Sequence, residues 1–156
     1  KSVNYTTIAI FIDVEKNLDT IRFYNIHLKS FKLESELEIL DENNSDKILN
    51  VFDKTFKIQE NQSDIISNHI QSSPYKVVLS GDFNNTAHSY VYKFLKGDLV
   101  DSFYSAGNGF GRTYNFKYFP MRIDFILMDS SFRINNFKTF KNNLSDHFPI
   151  ISIFNL

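Results

Sequence analysis

In the stretch KVVLSGDFNNTAHS, residues 76–89, an apolar segment is followed directly by a cluster of polar side chains. Residues 77–79 are Val-Val-Leu and predict a short buried strand. A turn needs polar residues, but it does not need Asp82 and Asn84 two positions apart beside Gly81. Sites of open α/β sheets form at strand ends and in the loops that follow them. This stretch therefore indicates a strand that ends in a site.

The bulk composition fits one globular domain. The chain has 156 residues, of which 42% are hydrophobic and 17 are Phe, enough for a core of its own. Seventeen basic and 18 acidic side chains give a net charge of −1, which lacks the basic footprint of a general nucleic-acid binder. The absence of Cys excludes disulfides and thiolate metal sites but leaves the compartment open.

The sequence begins at KSVNYTTIAIFIDV without Met and inside strand-like sequence, so we expect an excised piece of a longer protein. It contains no apolar run of membrane-spanning length and no signal-peptide pattern. We expect a soluble segment whose localisation is unknown. The parent could be secreted, or tethered to a membrane through a region outside this sequence.

Strands outnumber helices in the predicted element order. Strands are predicted at 7–14, 20–28, 76–80, 122–128, 133–140 and 150–154, and the turn between the first two forms a hairpin. Helices are predicted from Ser45, as N-cap, to Ile70, with a polar gap that bends or splits the helix, at 89–98, and briefly within 33–44. A long aromatic loop follows near 105–120. The pattern favours an α/β domain with a mixed β-sheet and helices packed on it over a doubly wound parallel sheet.

Polar residues gather at four strand ends: His27 in NIHL, Asp82 and Asn84 in SGDFN, Asp124 in RIDFIL, and Asp146 and His147 in SDHFPI. Taken singly, each residue also has a purely structural explanation. His27 could be a buried core histidine, and Asp82 could cap a turn. A carboxylate inside an apolar strand needs a partner, and His147 is a candidate for Asp124. Asp82, Asn84 and Asp146 offer the hard oxygens that suit Mg²⁺ and phosphate chemistry.

These four motifs, in this order, resemble the C-terminal half of the endonuclease/exonuclease/phosphatase superfamily, the DNase I-like fold that also hosts sphingomyelinases, inositol polyphosphate phosphatases and deadenylases. SPYKVVLSGDFNNTAHSYVY and GFGRTYN also resemble an uncharacterised branch from Bacteroidetes-type bacteria. The resemblance implies a four-layered α/β sandwich of two pseudo-symmetric halves. Residues 1–156 would be the C-terminal part of one such domain, with the N-terminal half absent.

The resemblance also implies Mg²⁺-dependent (or Mn²⁺-dependent) hydrolysis of a phosphoester by in-line attack of water. His147 would be the general base or contact the attacked phosphoryl group, held by Asp124. Asp82 would orient the nucleophile or handle the leaving-group proton, and Asn84 would bind a phosphate oxygen. His27 would contact the phosphate or assist as an acid.

Three further residues complete the predicted site. Asp146 would be a metal-side ligand, either directly or through water. His88 and Arg122 are candidate substrate contacts, although His88 could belong to a helix N-terminus and Arg122 could instead stabilise the strand end.

The departures from the family pattern lie upstream. The family's early-strand Asn and its Mg²⁺-binding Glu belong to the first half, and Gln59-Glu60 occurs in the wrong order to replace them. We therefore interpret Glu60 as a helix-surface charge and expect this fragment to be inactive alone. Without the first half, the inner face of the sheet would expose apolar side chains, which predicts a homodimer.

Two other function classes remain open at this stage. A non-catalytic binding or scaffold protein could retain the fold, although the intact set of polar residues argues against decay. A DNA-binding module would need a basic surface that the composition does not provide. The phosphoester substrate itself is undetermined. The near-neutral charge and the aromatic loop favour lipid head groups or small phosphoesters over long nucleic acid.

Overall fold

The alternation of apolar and polar residues produces a five-stranded sheet in the computed structural model, which describes residues 8–31, 45–141 and 144–156. Its strands are β1 (Ala9–Lys16), β2 (Asp19–His27), β3 (Lys76–Asp82), β4 (Val100–Asp101) and β5 (Asp124–Met128), in the spatial order β1-β2-β3-β5-β4. β6 (Arg133–Thr139) and β7 (Ile150–Asn155) form a separate antiparallel pair. The helices are α1 (Ser45–Gln71), α2 (Tyr90–Lys96) and α3 (Ser102–Ala106).

Strand pairing confirms the predicted mixed sheet. β2 and β3 run parallel, whereas the β1–β2, β3–β5 and β4–β5 pairs are antiparallel. The β1–β2 hairpin turns at Asn17 and Leu18, whose φ angles of 52° and 71° are both left-handed. A two-residue turn of this kind matches the twist of the strands it joins. Parallel pairing of β2 with β3 requires a crossover, and α1 lies within it.

α1 is one unbroken helix of 27 residues, so the alternative in which its polar gap splits the helix is wrong. The polar residues of the gap that face the core are Gln59 and Ser63, both fully buried. The Ser63 hydroxyl donates to the Glu60 carbonyl oxygen at 2.8 Å, and Gln59 bonds to neighbouring loops. Because these groups have partners, they do not interrupt the helix. The predicted helix within 33–44 and the capping side chain of Ser45 lie outside the described residues.

The helices cover one face of the sheet. Leu79, Phe83 and Phe125 are completely buried there, and the two Phe rings meet edge-on at 4.8 Å between centroids. α1 contributes Ile66, and α2 contributes Leu95 among others. Side chains alternate between the two faces of a strand, and the helices cover the face that carries Tyr24, Ile26 and Leu28, all of which belong to this core.

The opposite face is only partly covered. A smaller cluster that includes Val78, Met128 and Phe132 packs there. β1, however, leaves Ile10, Ile12 and Val14 with exposures of 57%, 56% and 38%. This agrees with the expected exposure of an apolar sheet face. Homodimerisation through that face stays a prediction, for which light scattering of the wild type and of Ile12→Asp is the measurement.

Two short elements went unpredicted. β4 and α3 precede the aromatic loop, and Asp101 joins them because its carboxylate accepts a hydrogen bond from the Phe103 amide at 2.9 Å, as an N-cap. Elements of two and five residues have too little periodicity to be visible in a sequence. Among the described residues, no helix is both long and apolar enough to cross a membrane.

Candidate active site

Strand register places three of the predicted residues in one row. His27 of β2 pairs with Asp82 of β3, and Asp82 pairs in turn with Asp124 of β5. Register partners on neighbouring strands point to the same side of a sheet. Since Ile26 and Leu28 face the helices, His27 and the row that continues from it lie on the opposite face. The row stands at the carboxyl ends of β2 and β3.

The backbone beside this row is specialised. Gly81 has φ 137°, and a Cβ at this position would overlap the carbonyl oxygen of Ile26 on β2. Glycine therefore permits the close approach of the two strands immediately before the row. Asn84 has φ 48°, a left-handed conformation that Asn tolerates better than most residues. Its backbone N–H donates to Asp82 Oδ1 at 2.7 Å, and its side-chain Nδ2 donates to the Leu28 carbonyl oxygen at 2.9 Å.

Gln59 is a positioning residue that sequence reasoning missed. Its Nε2 donates to the carbonyl oxygens of Lys29 at 2.7 Å and of Asn84 at 3.3 Å, and its Oε1 accepts from Asn85 Nδ2 at 2.9 Å. One buried amide thus ties the loops after β2 and β3 to α1. An amide on the apolar stripe of a helix, three residues after Phe56, was the signal that could have revealed it.

His147 reaches the row from another segment. The Phe148 N–H donates to the Thr113 carbonyl oxygen at 2.7 Å, and the Tyr114 ring contacts the imidazole of His147 at 5.0 Å between centroids. Thr113 is completely buried, and its hydroxyl oxygen accepts the N–H groups of Ile123 and Asp124, both at 3.0 Å. The segment 113–114 therefore positions Asp124 and His147 together. Thr113 gave no sign of this role in the sequence.

The side chains of the row and His147 form one cluster. His147 Nδ1 lies 3.0 Å from Asp124 Oδ2, and its Nε2 lies 3.9 Å from Asp82 Oδ2. His27 Nε2 lies 3.6 Å from the same Asp82 oxygen. One donor atom each from Asp82, Asp124 and His147 all fall within 4.8 Å of one another. The arrangement brings together residues from four distant parts of the sequence, as their motifs predicted.

The electrostatics of the cluster disfavour the ionised form of Asp82, although the charges of His147 and His27 partly offset this effect. Burial raises the pKa of Asp82 to about 6, the charge of Asp124 adds to this, and the hydrogen bond from the Asn84 N–H opposes it. The hydrogen bond to Asp124 is the main cause that raises the pKa of His147. Two carboxylates on adjacent strands thus have imidazoles, rather than Arg or Lys, as the ion-pair partners recorded among the described residues.

Arg122 is not brought to this cluster. Its Nη1 lies 2.7 Å from Asp101 Oδ2, and both side chains are almost fully buried, at 7% and 1% exposed. Its guanidinium carbon also lies 4.6 Å from the ring centroids of Phe103 and Phe125. The substrate-contact prediction for Arg122 is therefore replaced by a structural role, because the buried carboxylate of Asp101 requires a cation.

The remaining predicted residues do not belong to the set of contacts that defines the cluster. His88 is exposed and lines a cavity of about 580 Å³ between α1 and the start of α2. Asp146 is exposed, accepts from the Ser145 hydroxyl at 3.2 Å, and contributes to the raised pKa of His147. Their roles in substrate and metal binding stay predictions. Glu60 is an exposed helix residue, as expected. His69 is a structural residue, because its Nδ1 pairs with the Tyr24 hydroxyl at 2.8 Å.

The family assignment follows from the sequence match. Residues 56–147 match the Endonuclease/Exonuclease/phosphatase family, and this span runs from within α1 to His147 and includes β3 and β5. The chain therefore belongs to this family. The comparison with curated proteins gives no match.

Solved structures with the same fold come from several sources. The mannosyl-6-phosphatase of Bacteroides thetaiotaomicron is 18% identical, with a TM-score of 0.61 over 90% of this chain and 53% of that one. A family protein from Bacteroides vulgatus is 18% identical, with a TM-score of 0.69 over 95% of this chain and 55% of that one. Humanized D. rerio TDP2 is 17% identical, with a TM-score of 0.64 over 95% and 60%. The chain thus spans about half the length of the structures it matches, and at these identities the likeness shows the fold.

Proposed function

We propose that this chain supplies part of the active site of a Mg²⁺- or Mn²⁺-dependent phosphoester hydrolase, and that the fragment is inactive alone. The observation that carries the proposal is the row His27–Asp82–Asp124 with His147 bonded to its last member. Membership of a family whose name covers nucleases and phosphatases supports the same reaction class.

The donor set fits a divalent cation. Asp82 and Asp124 offer hard carboxylate oxygens within 4.8 Å of each other, and burial disfavours the ionised form of Asp82, a cost that a bound cation would offset. Asp146 is proposed as a further ligand, directly or through water. When bound, the metal would offset the negative charge that develops on the phosphoryl oxygens.

His147 is proposed as the general base or as the contact to the attacked phosphoryl group. The bond from Nδ1 to Asp124 fixes the tautomer, so that Nε2 is the atom that takes a proton from water. The same bond raises the pKa of the imidazole, which stabilises the protonated form produced by that step.

The other members of the cluster handle the substrate. Asp82, with its pKa raised to about 6, can orient the nucleophile or exchange a proton with the leaving group. Asn84 Nδ2 carries two protons, one of which is donated to Leu28, and the second would reach a phosphate oxygen. His27, with 71% of its side chain exposed, would contact the phosphate from the β2 side.

The comparisons name substrates only for other proteins. One matched structure is a mannosyl-6-phosphatase, which is consistent with a small phosphoester as the substrate class here. The scaffold alternative is less well supported, because a protein that had lost catalysis would not need His147 held against Asp124.

The test uses the chain extended upstream to the length of its structural relatives. Hydrolysis of mannose 6-phosphate, sphingomyelin, an inositol phosphate, plasmid DNA and an aryl phosphodiester would be measured with Mg²⁺ and with chelator. We expect His147→Ala to lower kcat by roughly 10²–10⁴-fold, the range for loss of a general base. His69→Ala is the matched control, because that imidazole belongs to the Tyr24 contact instead.

The outcomes separate the two function classes. Activity that disappears with chelator and with His147→Ala, but survives His69→Ala, supports the hydrolase. A folded protein that binds no divalent cation and hydrolyses none of the five substrates would instead favour the scaffold.

A further inference from the structure

A second cavity lies beside the aromatic loop, outside the cluster described above. It has a volume of about 630 Å³ and opens between loop 108–112 and the end of β6. Phe137, 7% exposed, forms an apolar part of its wall, and Phe110, 85% exposed, stands at the rim. Arg112, Lys138 and Lys141 also line it.

The cavity carries positive charge that its own contacts do not offset. The Arg112 guanidinium donates to the carbonyl oxygens of Tyr114 and Phe116, each at 3.0 Å, and to Asn115 Oδ1, all of them neutral acceptors. Lys138 Nζ lies 4.8 Å from the centroid of the Phe140 ring, which is neutral as well. The described residues that line the cavity include three cations and no carboxylate. In a chain of net charge −1, this concentration of cations favours an anion.

Two connections join the cavity to the cluster. Arg112 bonds to the carbonyl oxygen of Tyr114, whose ring contacts His147. On the other wall, the Phe140 N–H donates to the Pro149 carbonyl oxygen at 2.9 Å, two residues beyond His147. A ligand in the cavity would therefore lie next to the segments that hold the candidate base.

We infer that this cavity binds a second phosphate group of a small, multiply phosphorylated substrate. The inference rests on the proposed function, which places the scissile phosphate at the His147 cluster. The volume falls within the range of roughly 300–1,000 Å³ typical of small-molecule sites. Three cations beside an apolar wall suit a phosphate attached to a compact organic body better than a long polyanion, for which a basic stripe along the surface is typical.

The test is an NMR titration of the chain with inorganic pyrophosphate, followed through the amides of Gly109, Gly111 and Thr139. The variant is K138M/K141M, which removes two charges and keeps side-chain length. Arg112 is left intact, because its bonds to backbone carbonyls support the loop. We expect the dissociation constant to rise roughly tenfold, since each phosphate contact is charge-assisted.

The matched control is K54M/K93M, which removes two charges from exposed positions on α1 and α2. It should leave the titration unchanged. Equal affinity of the wild type and K138M/K141M for pyrophosphate would overturn the anion site. Amide shifts spread over the lysine-bearing surface, rather than confined to the cavity, would overturn it as well.

Two further arms identify the source of the phosphate. Fructose 1,6-bisphosphate should bind more tightly than fructose 6-phosphate, and K138M/K141M should abolish the difference. If a single-stranded hexanucleotide shifted the cavity amides and the bisphosphate did not, the small-molecule assignment would be replaced by nucleic acid.

The titration distinguishes failure of this inference from failure of the proposed function. It is performed in chelator and needs no hydrolysis. An extended protein that hydrolyses phosphoesters but shows no effect of K138M/K141M retains the proposed function and loses the cavity assignment. Anion binding by an extended protein that binds no divalent cation and hydrolyses none of the five substrates leaves an anion site and removes the hydrolase.

Discussion

Asp82 and Asp101 stand on either side of β5, and their surroundings differ sharply. Asp101, on β4, is 1% exposed and receives Arg122 Nη1 at 2.7 Å and the Tyr92 hydroxyl at 2.6 Å. Asp82, on β3, is 17% exposed and has the imidazoles of His27 and His147 within 3.6 and 3.9 Å. One carboxylate has a permanent cation, whereas the other has groups whose charge depends on pH.

The difference separates structural charge from functional charge. A buried carboxylate that only supports the fold is neutralised by the fold, because an unpaired buried charge is strongly unfavourable. A carboxylate that must receive a cation or a proton during a reaction cannot be neutralised in advance. The raised pKa of Asp82 is what we expect of the second kind, in line with the role proposed for it above.

The largest effect should come from breaking the structural pair. Arg122→Met leaves Asp101 buried without its cation, and we expect the free energy of unfolding to fall by about 3–5 kcal/mol. Denaturant unfolding at neutral pH measures this. Lys57→Met, which breaks the exposed pair with Asp53, is the control and should change stability little. If both variants lost the same stability, burial would not distinguish these pairs.

The opposite sign is expected at Asp82. With a pKa of about 6 in the folded state against 3.8 in the unfolded state, ionised Asp82 destabilises the fold by at most about 3 kcal/mol. Asp82→Asn removes that penalty and keeps an oxygen for the Asn84 N–H. We expect stability to rise by roughly 1–3 kcal/mol at pH 8 in chelator. A loss of stability at that pH would show that the charge of Asp82 is compensated.

The pH dependence gives the same comparison a second test. The folded state binds more protons at Asp82 than the unfolded state between pH 3.8 and about 6, so wild-type stability falls as pH rises through this window. The raised pKa of His147 acts in the same direction, since its stabilisation is complete below pH 6.5 and is lost as pH rises through the folded-state value. Unfolding curves of the wild type and Asp82→Asn should converge near pH 4. Parallel curves over the whole range would contradict this account.

A divalent cation should act at one carboxylate and leave the other unaffected. Mg²⁺ or Mn²⁺ at ten times its dissociation constant should stabilise the wild type by about 1.4 kcal/mol. Asp82→Asn should lose most of this gain, and chelator should remove it from the wild type. Tyr92→Phe should retain it, because Tyr92 contacts Asp101 instead. Equal stabilisation of Asp82→Asn would place the cation elsewhere.

An effect similar in size to that of the cation is expected for the second donor to Asp101. Tyr92→Phe removes the hydroxyl and keeps the ring, which packs against Phe125 at 4.7 Å between centroids. Because Arg122 still pairs with Asp101, we expect a loss of about 1–2 kcal/mol in denaturant unfolding. A loss as large as that of Arg122→Met would mean that the hydroxyl, rather than the guanidinium, keeps Asp101 stable.

The strands and long helices could be predicted from the sequence because each has many residues that report the same period. β2 alternates between buried and exposed residues from Tyr24 to His27, and α1 continues through its polar gap because Gln59 finds partners in other segments. Those partners are far away in sequence, so the amide looked like an interruption. β4 and α3 were missed because they depend on Asp101 and on contacts with β5 and β6.

The sequence motifs identified the candidate site residues, but they could not predict how those residues are arranged in space. His27, Asp82, Asp124 and His147 stood out as polar residues at strand ends, and the structure brings them together. Arg122 stood out for the same reason and proved structural, because its partner Asp101 lies on a strand that the sequence did not reveal. Whether a charged side chain at a strand end is exposed or paired depends on the neighbouring strand, which local patterns do not specify.

The row His27–Asp82–Asp124 also bears on when the site can form during synthesis. β2 and β3 can pair once the crossover helix exists, but β5 follows only after more than forty further residues have been added. A nascent chain that stops before Asp124 would hold His27 and Asp82 without the third member or the imidazole of His147. Contacts between such distant segments form late, since loop closure must precede them. The full cluster proposed for cation or phosphate binding can therefore assemble only after His147 has been added and contacts Asp124.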